Sequence, residues 1–244
     1  MKQIEKGVFN VDDKFMEVLL KTKDLKNALY SILKHNFLYH SNKIEGSTFT
    51  TEALALLLDK NVVTGKHTLD DVQETVNSSY VFDRIVETLG KRIDDSFIKD
   101  LHARLMFNTT LHQRGYAGVY KTIPNMIIGT STKVAQPFEV QARLDELIEW
   151  YYSLERITLE DIASFHYKFE VIHPFQDGNG RIGRFIMLKQ MLENKLPIKI
   201  VSWDSEDLYR HSLELCDLEN QLPLQNYMES LEDFKEEYKA LWEY

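Results

Sequence analysis

Two helical apolar periods meet across a short run that a helix does not cross, and this junction constrains the fold more than any other part of the chain. Leu159, Ile162, Phe165, Phe169 and Ile172 recur at helical spacing behind Thr158, a residue suited to starting a helix. The spacing predicts a helix that ends just before His173. Residues 173–184 then read His-Pro-Phe-Gln-Asp-Gly-Asn-Gly-Arg-Ile-Gly-Arg. Gly178 and Gly180 free the backbone for positive φ and for close approach to a ligand. A second helix is predicted over 181–193, with Pro197 marking its exit. The unit is therefore helix, glycine loop, helix.

The chemistry of this loop suits a polyphosphate. Successive amides at 178–180 can converge on an anion, and the N-terminus of the following helix adds its dipole and unpaired N–H groups. Arg181 and Arg184 are three apart, hence on one helix face, where their guanidinium forks can hold phosphate oxygens. Asp177 offers a hard oxygen ligand for Mg²⁺, which nucleotide sites hold by one or two carboxylates plus the phosphates. His173 is the obvious proton acceptor. Taken singly, a DGNG turn is an ordinary loop and a histidine beside proline is most often structural. The argument rests on their joint occurrence.

Residues 173–184 resemble the signature of the Fic family, His-x-Phe-x-Asp/Glu-Gly-Asn-Gly-Arg-x-x-Arg, and match it at every specified position. The resemblance implies a mainly helical Fic fold with one small β-hairpin flap. It also implies a protein adenylyltransferase, transferring AMP from Mg-ATP to a Ser, Thr or Tyr hydroxyl of a target protein and releasing pyrophosphate. His173 is then the general base, Asp177 the Mg²⁺ ligand, Asn179 with the amides of Gly178 and Gly180 the anion hole, and Arg181 and Arg184 the grip on the β- and γ-phosphates. Phe175 is a packing anchor. A relative that phosphorylates its target carries Lys at the position of Gly180, so Gly180 favours AMP transfer.

Residues 41–46, Ser-Asn-Lys-Ile-Glu-Gly, resemble the inhibitory helix of autoinhibited Fic proteins. Ser41 and Glu45 share a helix face and Gly46 is a natural C-terminal stop; alone, such a run reads as a solvated helix end. Set against Arg184 it implies more: a carboxylate there takes the place of a γ-phosphate oxygen. Residues 120–130, Tyr-Lys-Thr-Ile-Pro-Asn-Met-Ile-Ile-Gly-Thr, are the one strand-turn-strand candidate. In the family this hairpin is a flap that registers a target segment, here Met126, Ile127, Ile128 and Gly129; a structural hairpin over the core is the plain alternative. One departure concerns the base. Where relatives often carry Tyr-Tyr and a later Asn near adenine, this chain has Tyr209-Arg210 and Asp217.

A chain of 244 residues with 43% hydrophobic content can bury a full core as one globular unit. The expected organisation is an N-terminal helical region with the inhibitory segment over 1–94, a catalytic core over 95–222 and a C-terminal helix over 223–244. Further helices are expected at 15–39 with a break near Asp24, after Thr50 and Thr68, after Asp95 or Ser96, at 138–152, and at 206–217 and 224–242, with 107–119 irregular. A net charge of -9 without a Lys/Arg block argues against direct nucleic-acid binding. No run approaches membrane-spanning length, the first residues lack a signal-peptide core, and the lone Cys216 allows no intrachain disulfide, so a cytoplasmic location is expected. His166 lacks a partner at ligand spacing and reads as a core or supporting histidine. Three alternatives stay open: removal of AMP with Glu45 positioning water, another nucleoside triphosphate as donor, and a non-catalytic nucleotide-binding regulator. Self-modification and a homodimer are expected by analogy with the family alone.

Overall fold

The computed structural model describes residues 14–127 and 133–243. Its helices are α1 (Lys14–Lys21), α2 (Leu29–Ile44), α3 (Thr51–Lys60), α4 (Leu69–Glu87), α5 (Asp95–Leu105), α6 (Thr110–Gln113), α7 (Val140–Ser153), α8 (Leu159–Ile172), α9 (Asn179–Glu193), α10 (Glu206–Glu214), α11 (Leu222–Ser230) and α12 (Phe234–Glu237). The protein is all-α.

Helix α9 forms the axis of the molecule. Thirteen of its fifteen residues are buried, so it lacks a polar face and must be surrounded. Helices α2, α4, α5 and α8 pack around it. Phe185, Ile186, Ile182 and Leu188 enter the main core with Phe37, Phe82, Leu101 and Phe165. Met187 and Met191 face a second apolar cluster with Ile44, Tyr209, Tyr227 and Met228, which fastens α10 and α11. Even the polar residues of α9 are used. Lys189, fully buried, donates to the Thr88 carbonyl and pairs with Glu193, tying α9 to the end of α4.

The starts of these helices follow from their caps. Thr50, Thr68 and Thr158 each accept a backbone N–H of the first turn, an arrangement worth about 1 kcal/mol apiece. Asp94, one residue before the expected pair, caps α5 by accepting from Phe97 N–H and the Ser96 hydroxyl. Thr109 likewise nucleates the short α6 within a stretch expected to be irregular. The expected last helix breaks at Leu231, whose extended backbone ends α11, and continues only as α12 and a 3-10 turn, Lys239–Leu241.

The expected hairpin is described only as far as residue 127. Residues 120–127 form no strand, and among the described residues the one β-type pairing is an isolated bridge between Lys199 and Asp233. Polar groups of this segment bond the glycine loop's flank instead: Lys121 N–H donates to the Pro174 carbonyl at 2.8 Å, and Asn125 Nδ2 to the Phe175 carbonyl at 2.9 Å. Ile128 and Gly129 lie outside the described residues.

Candidate active site

His173 closes α8 in a left-handed conformation, φ 48°, an uncommon state for a residue with a side chain. Its imidazole Nδ1 lies 3.3 Å from the Glu170 carbonyl, so Nδ1–H donates there and Nε2 keeps its lone pair. Burial, reinforced by the Lys121 ammonium, pushes the imidazole down to about 4. It is neutral at pH 7.

The loop that follows is stitched to itself and to its neighbours. Asn179 accepts Phe175 N–H at 2.7 Å and donates back to the Phe175 carbonyl at 2.9 Å. The Asn179 side chain thus shapes the loop, leaving its backbone N–H for an anion. His102 stacks on Phe175 at 3.8 Å, accepts Gly118 N–H at Nδ1 and donates through Nε2 to the Asp177 carbonyl. Burial holds it neutral, at about 3. Gly178 has φ 76°, and a Cβ there would come within 2.3 Å of Met106. Only glycine fits.

Both arginines are buried, and both are held by carboxylates from N-terminal helices. Arg184, 3% exposed, donates Nε to the Ser41 hydroxyl and Nη2 to the Ser41 carbonyl, each at 3.0 Å, and Nη2 to Glu45 at 2.7 Å. Arg181 pairs with Glu74 of α4. Burial opposes ionisation of Glu45, but the Arg184 and Arg181 guanidiniums outweigh it and hold the carboxyl below its usual range. Gly46, at φ 89°, turns the chain away after α2. Arg210 adds a further clasp by donating to the Ile44 carbonyl at 3.0 Å.

Glu45, His173, Gly180, Arg184, Tyr209 and Glu170 line one cavity of about 90 Å³, well under the roughly 300–1,000 Å³ of ordinary ligand clefts. Glu45 lines it against the start of α9: a Cβ on Gly180 would sit 2.3 Å from Glu45 Oε1. Tyr209 is buried and its hydroxyl lies 2.6 Å from His166 Nε2, which makes His166 a supporting core histidine. Asp217 accepts two N–H groups of its own turn and is exposed. Asp177 is also exposed, with Oδ1 taken by Gly178 N–H. Ile127 reaches the cavity rim, whereas Met126 is 76% exposed.

Sequence reasoning missed Glu74, His102, Lys121 and Glu170. Lys121 is buried, with its ammonium on Asn125 and the Ile172 carbonyl, and burial lowers it to about 8. Glu170 lies one turn before His173, and burial raises it to about 8 despite the Arg184 charge. An ionisable residue set between apolar Phe169 and Val171, one turn before His173, is the signal that could have found Glu170.

Residues 92–191 match the Fic/DOC family. The chain is 26% identical over 199 residues to protein adenylyltransferase fic-1 of Caenorhabditis elegans, covering 79% of this chain and 38% of that protein. It is 27% identical over 212 residues to protein adenylyltransferase Fic of Nematostella vectensis, covering 82% and 47%. The chain therefore spans less than half the length of these relatives. A Fic domain containing signaling protein from Bacteroides thetaiotaomicron superposes with a TM-score of 0.74 at 25% identity, over 89% of this chain and 92% of that one. A C. elegans Fic-1 structure shares the fold, with a TM-score of 0.72 at 21% identity over 89% and 68%.

Proposed function

This chain is a Fic family protein, and on that premise we propose that it transfers AMP from Mg-ATP to a Ser, Thr or Tyr hydroxyl of a target protein, and that Glu45 holds it off. The observation that carries this reading is the 2.7 Å contact of Glu45 with Arg184 inside the cavity that also holds His173. A base, an anion cradle and a competing anion meet at one point.

In the transfer, His173 Nε2 takes the target hydroxyl proton while that oxygen bonds to the α-phosphorus. The bond from the α-phosphorus to its bridging oxygen breaks, and pyrophosphate leaves with the electron pair. The first amides of α9, at 179–181, lack intrahelical acceptors and face the anion together with the helix dipole. Arg181 and Arg184 take the outer phosphates once Glu74 and Glu45 let go.

Asp177 fits a Mg²⁺ ion. It is exposed, one oxygen is free of partners among the described residues, and no cluster of three His, Cys, Asp or Glu ligands occurs there, which suits an ion held by one carboxylate and the substrate's phosphates. When bound, such an ion neutralises charge on the phosphate oxygens. The donor is selected through its phosphates more than its base, because the Tyr209 hydroxyl is spent on His166 and Asp217 on its own turn.

No described helix is long and apolar enough to cross a membrane. A target met in the cytoplasm, with self-modification as a special case, is part of the proposal, as is a homodimer that steadies α2. The Glu45 seat beside His173 also supports a second direction, in which this carboxylate orients water against an adenylylated hydroxyl. Intact mass spectrometry of the Glu45→Gly protein with Mg-ATP and cell lysate tests the first direction by a mass gain of one AMP on protein. An adenylylated product of that reaction, returned to the unsubstituted protein, tests the second. Retained nucleotide binding without transfer in either direction would leave a binding regulator.

A further inference from the structure

Glu170 is an anomaly of the α8 and α9 interface. It is 7% exposed, its Oε1 has no hydrogen-bond partner, and it belongs to a packed surface where an apolar side chain costs less. The neighbouring helix makes room for it: a Cβ on Gly183 would lie 2.7 Å from Glu170 Oε1 and 2.9 Å from the His166 ring. The carboxyl borders the cavity, with Oε2 at 3.9 Å from His173 Nδ1 and Oε1 at 4.0 Å from His166 Nε2. An ionisable group packed here at such cost stands behind the nitrogen that does not face the substrate.

We infer that Glu170 is a positioning residue that acts through His173, its carboxylate supporting the imidazolium formed when Nε2 takes the target's proton. This deepens the transfer reading and rests on it. The step balances: the hydroxyl proton moves to Nε2, Nδ1–H stays on the ring, and Glu170 keeps its electron pairs, stabilising the cation as a buried carboxylate does beside other catalytic histidines. The imidazolium later passes its proton to solvent or pyrophosphate.

The same geometry couples Glu170 to the inhibitory segment. The groups facing it are His166 and His173 on α8, Arg184 on α9, Glu45 at the end of α2, and Tyr209 and Arg210 on α10. Burial and the Glu45 charge favour its protonated form, while Arg184 and Arg210 oppose this. A carboxyl buried near one that is already ionised is held protonated by the like charge. With Glu45 seated, Glu170 therefore stays neutral and His173 is a feeble base. Withdrawal of Glu45 removes the like charge and opens the cavity to water, so Glu170 ionises, and its carboxylate, 3.9 Å from Nδ1, outweighs the upward pull on His173 that leaves with the Glu45 charge. One displacement thus clears the phosphate site and arms the base.

The test compares Glu170→Gln in two backgrounds by histidine ¹⁵N NMR titration of the full chain. In the Glu45→Gly background, loss of the carboxylate lowers the His173 pKa by about one unit or more, and Glu170→Asp restores part of it. With Glu45 present the shift is much smaller. In the transfer assay the Glu45→Gly,Glu170→Gln protein loses about 10- to 100-fold in kcat, part of the 10²–10⁴ that a positioned base contributes, with KM for Mg-ATP within about twofold and the rising limb of the pH profile moved to lower pH. An unmoved His173 titration in the Glu45→Gly background overturns the inference, whatever the activity. If Glu45→Gly transfers nothing, the functional reading fails while the titration still decides the role of Glu170.

Discussion

Replacing Glu45 with Gln keeps the side chain's size and removes its charge, so it isolates the electrostatic part of the block. The pair it breaks has an N···O distance of 2.7 Å, with the Arg184 side chain 3% and the Glu45 side chain 26% exposed. Two unit charges about 4 Å apart at an effective dielectric of about 20 attract by roughly 4 kcal/mol. Desolvation takes back part of this, leaving about 1.5–3 kcal/mol for a hydrogen bond to a charged group. Nucleotide must displace that much to reach Arg184. Calorimetric titration with a non-hydrolysable ATP analogue and Mg²⁺ should therefore give a Kd about 10- to 100-fold lower for Glu45→Gln, and transfer at low Mg-ATP should rise by a similar factor. Glu45→Gly should go further, since it also vacates the volume next to Gly180. Without nucleotide both variants should melt at lower temperature, because the buried Arg184 loses the carboxylate of its Glu45 pair, and Mg-ATP should restore the loss. Unchanged Kd and unchanged transfer in both variants would refute the competition between Glu45 and phosphate.

Further outcomes follow from the same site. His173→Ala in the Glu45→Gly background should abolish transfer in the labelled-ATP assay while nucleotide Kd stays within about threefold; residual transfer near the parent rate would remove His173 as the base. Acid should destabilise the fold, because burial holds His102, His166 and His173 at about 3, 3 and 4. Their folded pKa values lie below the unfolded value, so their contribution is complete above about pH 6.5 and lost as pH falls toward 4, at up to about 1.4 kcal/mol per pH unit for each imidazole. Urea midpoints at pH 7, 6 and 5 should fall steeply, and a flat profile contradicts the buried neutral rings. Glu170 carries the opposite sign: its raised pKa makes its contribution full below about 4.5 and spent as pH rises through about 8. Gly183→Ala should lower stability by about 1–3 kcal/mol through crowding against Glu170 and His166, read from the same urea curves; a neutral effect would show that the two helices part easily.

The parts of this protein legible in the sequence are those governed by neighbours in the chain. Thr158 and the apolar stripe ending at Ile172 are local, and so is the exit into Gly178. Helix α9 was legible through its flanks, since a helix buried on every side shows no stripe. Glu74, 107 residues before its partner Arg181, was invisible because it sits among other acidic residues of α4 and acquires meaning only through packing. His102 hid for the same reason: its stacking on Phe175 and its bond to Asp177 are tertiary. The extended run after Pro124 was read by its β propensity; up to residue 127 the segment is held instead by the loop's Pro174 and Phe175 carbonyls, which accept from Lys121 N–H and the Asn125 side chain.

The arrangement at the end of α2 separates two events that a release of inhibition could combine. Arg184 holds the helix by the Ser41 hydroxyl and carbonyl as well as by Glu45, and Arg210 holds the Ile44 carbonyl from the other side. A helix C-terminus is the negative end of its dipole, so both guanidiniums favour α2 where it is, whether or not residue 45 carries a charge. Loss of the Glu45 carboxylate alone therefore frees one donor edge of Arg184 while the helix, its apolar Ile44 and the wall of the cavity stay in place. On the proposed inhibition, release need not unfold the N-terminal region. It needs a force on residue 45 larger than one charge-assisted hydrogen bond and smaller than the docking of α2, which is the range that a nucleotide's own phosphate, or a partner that draws Gly46 outward, can supply.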